Sequence, residues 1–316
     1  MSDDVRLLRK VAILYYKNDL TQNDIARRLG ISRQGVGRAL QRARELGIVR
    51  IEIDTGAAYE ADLETQLEAR FGLEEAIVVL PSADTDEALK QAIGKGAAEF
   101  MQRRVSSGIV IGMAWSTTIY ELVQHMQPTS TENVTVVGLI GSSHGTSYPT
   151  HAEFILHRMA EMCGGTPKLL AVPAVVERAE IKTSLLSDSR IAEIFDIARH
   201  ADIAVFGIGD LSLNSSPFKA GDVTEAMLHR MKAEGAVGDV CGQFIDAAGV
   251  PFDPDLSERT IAVELNILRT LNLSVAVAGG ERKVEAILGA LHGKYCNVLV
   301  TDQATARLVL EREGAL

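Results

Sequence analysis

The sequence has few cysteines and no long hydrophobic run. Its three cysteines lie 78 and 55 residues apart without a C-x-x-C pair, which argues against a disulfide framework or a zinc site. The longest apolar stretches are about eight residues, well short of the roughly 20 that cross a bilayer. Met1 is followed by Ser-Asp-Asp-Val-Arg, without an apolar signal core. We therefore expect a cytoplasmic protein with no membrane partner, no metal and no cofactor.

Positive charge is also scarce, but it is unevenly distributed. The 316 residues carry 32 Lys+Arg against 42 Asp+Glu, a formal net charge of −10. Residues 1–53 hold eleven basic and six acidic side chains, a net charge of +5, so the remaining 263 residues carry −15. This split predicts a basic domain that binds nucleic acid (1–53), a linker (54–58) and a larger acidic domain (59–316).

Three short helical patterns occupy the basic segment. Apolar residues recur at three- and four-residue intervals over 7–16. Thr21 can cap a second helix that Gly30 ends, and Ser32 can cap a third. Two helices joined by a short turn that contains glycine form a helix-turn-helix, and the alternating segment 48–53 is predicted to follow it as a wing.

The outer face of the third predicted helix carries the candidate DNA contacts. Such a helix reads base edges near its N-terminus, so Gln34 and Arg38 are candidate base readers. The candidates for phosphate contacts are Thr21, Gln22, Arg33 and Arg42. Gly35 lies on the same face and is also a candidate DNA contact. A three-helix module that binds protein would leave the concentration of basic residues unexplained.

Apolar segments alternate with helical patterns in the acidic domain. The predicted strands are 77–80, 109–113, 134–140, 169–172, 203–207, 274–278 and 298–301. The predicted helices are 59–71, 84–104, 117–126, 151–163, 189–199, 258–270, 281–292 and 302–312. Continuous apolar strands separated by helices predict an α/β fold with a parallel sheet covered on both faces.

Ligands of such sheets bind beyond the carboxyl ends of the strands. The Ser and Thr residues of 116–118 open a helix directly after a predicted strand, which is typical of an anion site. Asp239 follows a glycine turn, and Lys283 follows Gly279-Gly280 at the start of a helix. Hydroxyls, a carboxylate and an ammonium on one rim suit a polyhydroxylated, phosphorylated ligand.

Several motifs occur in a defined order along the chain. They are Leu20–Ala26 with Leu29–Ser32, Gly112–Thr118, Gly235–Asp239 with Phe244–Asp246, and Gly279–Lys283 with Thr301-Asp302. In these motifs nearly the whole chain resembles the SorC family of bacterial sugar-responsive transcriptional regulators. The resemblance implies an effector domain similar to the ribose-phosphate isomerase and glucosamine-phosphate deaminase folds, without catalysis. It also implies a homodimer or homotetramer whose affinity for operator DNA changes when a sugar or sugar phosphate binds. The implied effector-binding residues are Gly112, Ser116, Thr117, Thr118, Gly141, Ser142, Asp239 and Lys283.

Enzymatic alternatives fit the sequence less well. A sugar-phosphate isomerase or deaminase could use Asp239 as its base, but it would have no use for a basic helix-turn-helix. Residues 141–145 match G-x-S-x-G, yet 146–149 intervene before the next predicted helix, whereas a hydrolase elbow needs a helix at once. His151 and His157 are six apart, which matches no usual zinc spacing. The sequence therefore predicts a regulator of a carbohydrate or polyol operon that is not an enzyme.

Overall fold

The chain divides into two compact units, Met1–Asp54 and Thr55–Leu316. The computed structural model describes residues 5–49, 61–142 and 152–314 and, within them, every side chain except those of 216, 217 and 254. The predicted linker and most of the predicted wing lie outside the described residues. No helix in the described ranges is long and apolar enough to cross a membrane.

The smaller unit contains three helices, α1 (Val5–Tyr16), α2 (Gln22–Leu29) and α3 (Arg33–Glu45). Side chains cap both later helices, because Thr21 Oγ1 accepts the Asp24 N–H at 3.2 Å and Ser32 Oγ accepts the Gly35 N–H at 3.0 Å. The helices share one buried core, whose central residues are Val11, Ile25, Val36, Leu40 and Ala43. Ile48 and Val49 pack against this core. The predicted helix-turn-helix is confirmed.

The larger unit is an α/β domain. Among its described residues, seven strands form a parallel sheet in the order β1-β10-β9-β5-β2-β3-β4. These strands are β1 (Glu75–Val79), β2 (Val110–Met113), β3 (Val134–Gly138), β4 (Gly165–Lys168), β5 (Ile203–Phe206), β9 (Leu273–Val277) and β10 (Val298–Asp302). The helices are α4 (Ala61–Phe71), α5 (Asp86–Arg104), α6 (Thr117–His125), α7 (Ala152–Met162), α8 (Ala179–Leu186), α9 (Ser189–Arg199), α10 (Ser216–Lys219), α11 (Glu225–Ala233), α12 (Pro254–Arg259), α13 (Leu265–Leu268), α14 (Val284–His292) and α15 (Gln303–Gly314).

The chain reverses its direction of travel across the sheet between β2 and β5. From β2 it moves outward through β3 to β4, and β5 then returns to the other side of β2 before β9 and β10 extend the sheet the opposite way. Crossovers that leave two neighbouring strands in opposite directions open a crevice beyond their carboxyl ends, which is where open α/β sheets bind ligands.

A segment between β5 and β9 forms a cap (208–259) with its own small core. Its strands β6 (Ile208–Asp210), β7 (Ala236–Val240) and β8 (Gln243–Asp246) form an antiparallel sheet. A hydrophobic cluster separate from that of the main sheet holds the cap together, and its buried members are Val223, Leu228, Met231, Ala236, Phe244 and Leu256. This antiparallel sheet was not predicted.

Two predicted elements are wrong. Residues 169–172 follow β4 instead of forming it: the edge strand ends at Lys168, and beyond it Leu170 and Val172 are buried while Ala171 is exposed. The predicted helix 258–270 is interrupted after α12, where the β-branched segment 260–263 is extended and pairs with Val175 and Ile140. A run of apolar residues indicates that a segment is buried, but it does not distinguish a strand from a helix or an irregular segment.

Candidate effector site and DNA-binding face

A cavity of about 350 Å³ lies beyond the carboxyl ends of β2 and β5. Residues 114–118, which follow β2, and Gly207, which follows β5, line it from the main sheet. The cap supplies much of the remaining lining, including Asp239 and Phe244. The volume is in the range of small-molecule sites, roughly 300–1,000 Å³.

The N-terminus of α6 opens into this cavity. Ser116 caps the helix, and its Oγ accepts the Ile119 N–H at 3.1 Å. The backbone N–H groups of Thr117 and Thr118 have no acceptor among the described residues, and both residues line the cavity. Free N–H groups and the positive end of the helix dipole together form a place for an anion.

Asp239 is the buried carboxylate of the cavity. It is 6% exposed, and its Oδ2 accepts the Gly242 N–H at 3.0 Å, whereas Oδ1 has no hydrogen-bond partner in the described part of the chain. Burial raises the pKa of Asp239 to about 6, against the opposing effects of the Gly242 N–H and Lys283. A buried polar atom without a partner is rare in proteins and indicates a ligand, a water or a functional role.

The turn after Asp239 fixes the orientation of its carboxylate. Val240 pairs with Gln243, so Cys241 and Gly242 form a two-residue hairpin, with φ values of 50° and 71°. Two left-handed residues are the requirement of a type I′ turn. Across the sheet, a Cβ on Gly209 would overlap with Asp239 Oδ1 and displace the carboxylate, so glycine at this position leaves room for Asp239. Asp239 therefore lies within β7, four residues after the turn at Gly235, whose φ is 106°.

Lys283 lies on a 3-10 turn (Glu281–Lys283) that precedes α14. Burial lowers the pKa of Lys283, and Asp210 and Asp239 oppose that effect. Arg282 Nε lies 3.7 Å from Asp210 Oδ2. Lys90 pairs with Asp86 at the same rim. The cavity thus carries carboxylates and cations in close alternation, which suits a ligand with both hydroxyls and a negative charge.

Asp302 and Thr305 hold the turn that presents Lys283. Asp302 Oδ2 and Thr305 Oγ1 both accept the Gly280 N–H, at 3.0 and 2.7 Å. A Cβ on Gly279 would overlap with Asp302 Oδ2. The Thr301-Asp302 motif therefore contributes a positioning carboxylate to the site, a role that sequence reasoning missed.

The structure brings together some of the predicted effector residues and not others. Those that line the cavity are Ser116, Thr117, Thr118, Asp239 and Lys283. Gly112 lies in β2 against Leu139, and Gly141 has no room for a side chain beside Pro173. Ser142 donates its N–H to the Val172 carbonyl at 2.8 Å. These three residues do not line the cavity. They lie at or near strand ends in the sequence, but this position alone does not place a side chain in the cavity.

Other lining residues were not predicted. The polar ones among them are Asp86, Lys90, Asp210, Asn214, Ser215, Lys219, Asp222 and Arg282. The glycine turn Gly207–Asp210 was a usable signal for Asp210, because its residues follow a buried strand. Ser215 and Lys219 lie in a segment without a motif, so only the fold could place them.

The predicted DNA contacts lie on the two helices of the helix-turn-helix and at their caps. Arg33, Gln34 and Arg38 are exposed on α3. Arg42 pairs with Glu45 at 2.9 Å one turn later. Thr21 donates its hydroxyl to Asp24 Oδ2 at 2.6 Å as part of its capping role. Gln22 and Gly35 are partly buried beside these side chains.

Comparison with known proteins identifies the family. Residues 57–311 match the Sugar-bind family, described as a sugar-binding domain, and residues 11–57 match the MarR family. The sorbitol operon regulator of Klebsiella pneumoniae is 33% identical over 312 residues, which cover 98% of this chain and 99% of that protein. The crystal structure of full-length SorC from Klebsiella pneumoniae matches with a TM-score of 0.75 at 34% identity, covering 98% of this chain and 100% of that one. This chain belongs to the SorC family of transcriptional regulators.

A second relative of this SorC-family regulator extends the comparison. The deoxyribonucleoside regulator of Bacillus subtilis strain 168 is 36% identical over 301 residues, which cover 95% of this chain and 96% of that protein. The family assignment confirms the predicted fold class and the predicted function as a transcriptional regulator. The relatives are named as regulators and not as enzymes. The specific likeness to ribose-phosphate isomerase folds stays a prediction.

Proposed function

We propose that this SorC-family regulator binds a sugar or a phosphorylated sugar in the cavity between β2, β5 and the cap. The ligand changes the affinity of the helix-turn-helix for operator DNA. The observation that carries the proposal is Asp239 Oδ1, a buried carboxylate oxygen with no hydrogen-bond partner among the described residues, in the same cavity as the N-terminus of α6. The operator target implies that the protein works in the cytoplasm.

The phosphate, or another anionic group, binds at the N-terminus of α6. The N–H groups of Thr117 and Thr118 have no acceptor among the described residues, and both residues line the cavity. Lys283 adds positive charge on the same cavity. Backbone donors at a helix N-terminus and an ammonium are the groups that commonly bind phosphate.

The hydroxyl groups of the ligand bind at Asp239. An ionised carboxylate only accepts hydrogen bonds, so its free oxygen requires a donor, and a sugar hydroxyl is one. The names of the relatives support this chemistry, since they refer to sorbitol and to deoxyribonucleosides.

The regulator acts on DNA as a homodimer or homotetramer. Helix-turn-helix proteins read two half-sites that lie one helical turn, or a multiple of it, apart. Gln34 and Arg38 read bases, Thr21, Gln22, Arg33 and Arg42 contact phosphates, and Gly35 lies on the same DNA-facing side. Effector binding then changes the spacing of the two reading helices.

The experiment that tests the proposal combines two measurements on the full-length protein. Thermal shift with a panel of free and phosphorylated sugars and polyols finds ligands, because a ligand that binds only the folded state raises Tm. Fluorescence anisotropy with operator DNA, selected from random duplexes by the wild-type protein, then measures the response. We expect Lys283→Ala to bind the operator as wild type does and to lose most of the response. Turnover of any sugar phosphate in the panel would favour the isomerase or deaminase alternative.

A further inference from the structure

A second buried oxygen faces the cavity from the cap. Ser215 is 7% exposed and lines the cavity, and its Oγ has no hydrogen-bond partner among the described residues. Asp239 Oδ1 also lacks a hydrogen-bond partner among the described residues, and Asp239 lines the same cavity. Thr301 Oγ1 also lacks a partner, but Thr301 lies in β10 and does not line the cavity.

Hydrogen bonds hold the backbone on both sides of Ser215. Ser212 Oγ donates to Asp210 Oδ1 at 2.7 Å, and the Ser215 N–H donates to the Ser212 carbonyl at 3.0 Å. The Lys219 N–H donates to the Ser215 carbonyl at 3.0 Å. Leu211 and Phe218 pack on the core of the cap. The segment is therefore anchored before and after Ser215.

The charge of this segment indicates which part of a ligand it would meet. It contributes one amide, one hydroxyl, one cation and one anion to the cavity, from Asn214, Ser215, Lys219 and Asp222. These charges cancel, so this wall lacks the net positive charge that a second anionic group would need. A hydroxyl that both donates and accepts suits neutral hydroxyl groups instead.

We propose that Ser215 is a specificity-determining residue that binds a hydroxyl of the unphosphorylated end of the effector. The proposal rests on the proposed function, since it assumes that the anionic end binds at α6. When a hydroxyl-bearing ligand enters, it provides the partner that Ser215 Oγ lacks in the free protein. A neutral hydrogen bond of this kind changes affinity by about threefold to tenfold.

The test compares Ser215→Ala with Thr301→Val in the full-length protein. Both variants remove a buried hydroxyl without a partner, so both should melt at a higher temperature than wild type when no ligand is present. Only Ser215 lines the cavity, which makes Thr301→Val the matched control. The probes are sorbitol 6-phosphate, fructose 6-phosphate, ribose 5-phosphate and inorganic phosphate, each titrated by calorimetry.

We expect Ser215→Ala to lower the affinity for the hydroxylated probe that wild type binds best, by about threefold to tenfold. Thr301→Val should bind that probe as wild type does, and all three proteins should bind inorganic phosphate alike. Equal affinity of Ser215→Ala and wild type for the hydroxylated probe would overturn the inference and leave the proposed function standing. Weaker binding of inorganic phosphate by Ser215→Ala would assign the residue to the anionic end and would also overturn it. If wild type bound none of these probes and no member of the wider panel of free and phosphorylated sugars and polyols, the proposed function itself would fail, and this inference with it.

Discussion

Asp239 is held in the folded chain at a cost in stability. Its pKa rises from about 3.9 in an unfolded chain to about 6 in the fold, because burial disfavours the charged form. The folded state therefore binds this proton more tightly than the unfolded state does. The stability that Asp239 contributes is therefore fully present below the unfolded pKa and is lost as the pH rises from about 4 through 6.

Asp239→Asn should therefore stabilise the free protein at pH 7.5. Two pKa units correspond to roughly 3 kcal/mol, which is an upper figure because the amide brings its own buried donor. The Tm difference from wild type should shrink toward pH 5, and sugar binding should be lost at every pH. Thermal melts across this range test the prediction, with Asp62→Asn, an exposed carboxylate on α4, as control. A variant less stable than wild type at pH 7.5 would contradict it.

Single residues could be predicted where a local motif marked them. Asp239 and Lys283 follow glycine-rich segments, and Ser116–Thr118 open a helix, so composition and spacing sufficed. Ser215 and Asp210 reach the same cavity through the topology of the cap. The glycine turn before Asp210 was a local signal for that residue, whereas the place of Ser215 depends on long-range packing that no local pattern encodes.

At the scale of elements, α3 should be separable from the effector cavity by mutation. Arg38→Ala removes a candidate base contact from an exposed position of the helix. It should weaken operator binding by about 1–3 kcal/mol, whereas the free energy of unfolding should stay within about 0.5 kcal/mol of wild type. Anisotropy on the selected operator measures the first effect and thermal melts the second.

Arg44→Ala is the control for this prediction. Arg44 is exposed on the same helix but lies six residues later, so it points to a different side. If both substitutions weakened operator binding equally, Arg38 would contribute only its positive charge and would not read a base.

The turn before α14 offers a second test at this scale. Thr305→Val keeps the shape of the side chain but removes the hydroxyl that accepts the Gly280 N–H. We expect a loss of about 1–2 kcal/mol in stability, because a hydrogen bond of the turn is lost. Effector affinity should fall as Lys283 loses its position, while operator binding without ligand is retained. Calorimetry and anisotropy separate the two effects; unchanged effector affinity would mean that Asp302 alone holds the turn.

The parallel sheet and its helices could be predicted because both faces are covered and the strands are uniformly apolar. The cap could not, because its antiparallel strands are short and its core is a separate cluster of a few residues. The extended segment 260–263 was predicted as helix, since pairing with Ile140 and Val175 is a long-range effect. Elements stabilised by their own periodicity are predictable, and elements stabilised by distant partners are not.

At the scale of the whole molecule, the proposed oligomer makes operator geometry testable. If two reading helices act together, inserting about 5 bp between the half-sites should abolish tight binding, because it turns one half-site to the opposite side of the duplex. Inserting about 10 bp should restore part of the affinity. Anisotropy with the three duplexes, and mass photometry of the complexes, make the measurement. Equal affinity for all three would indicate that each reading head binds alone.

The pairing of β1 with β10 also determines the order in which the two units of a newly made chain can fold. Glu75 lies beside Val298 in this parallel pair, so the sheet of the effector unit cannot close until residue 302 has left the ribosome. At about 5–20 residues per second, synthesis takes roughly 12–50 s to pass from the end of α3 to that point. During this interval the helices that read DNA are already made, whereas the edge of β9 still lacks its neighbour. Each round of translation thus produces the reading head well before the sensor that controls it is complete.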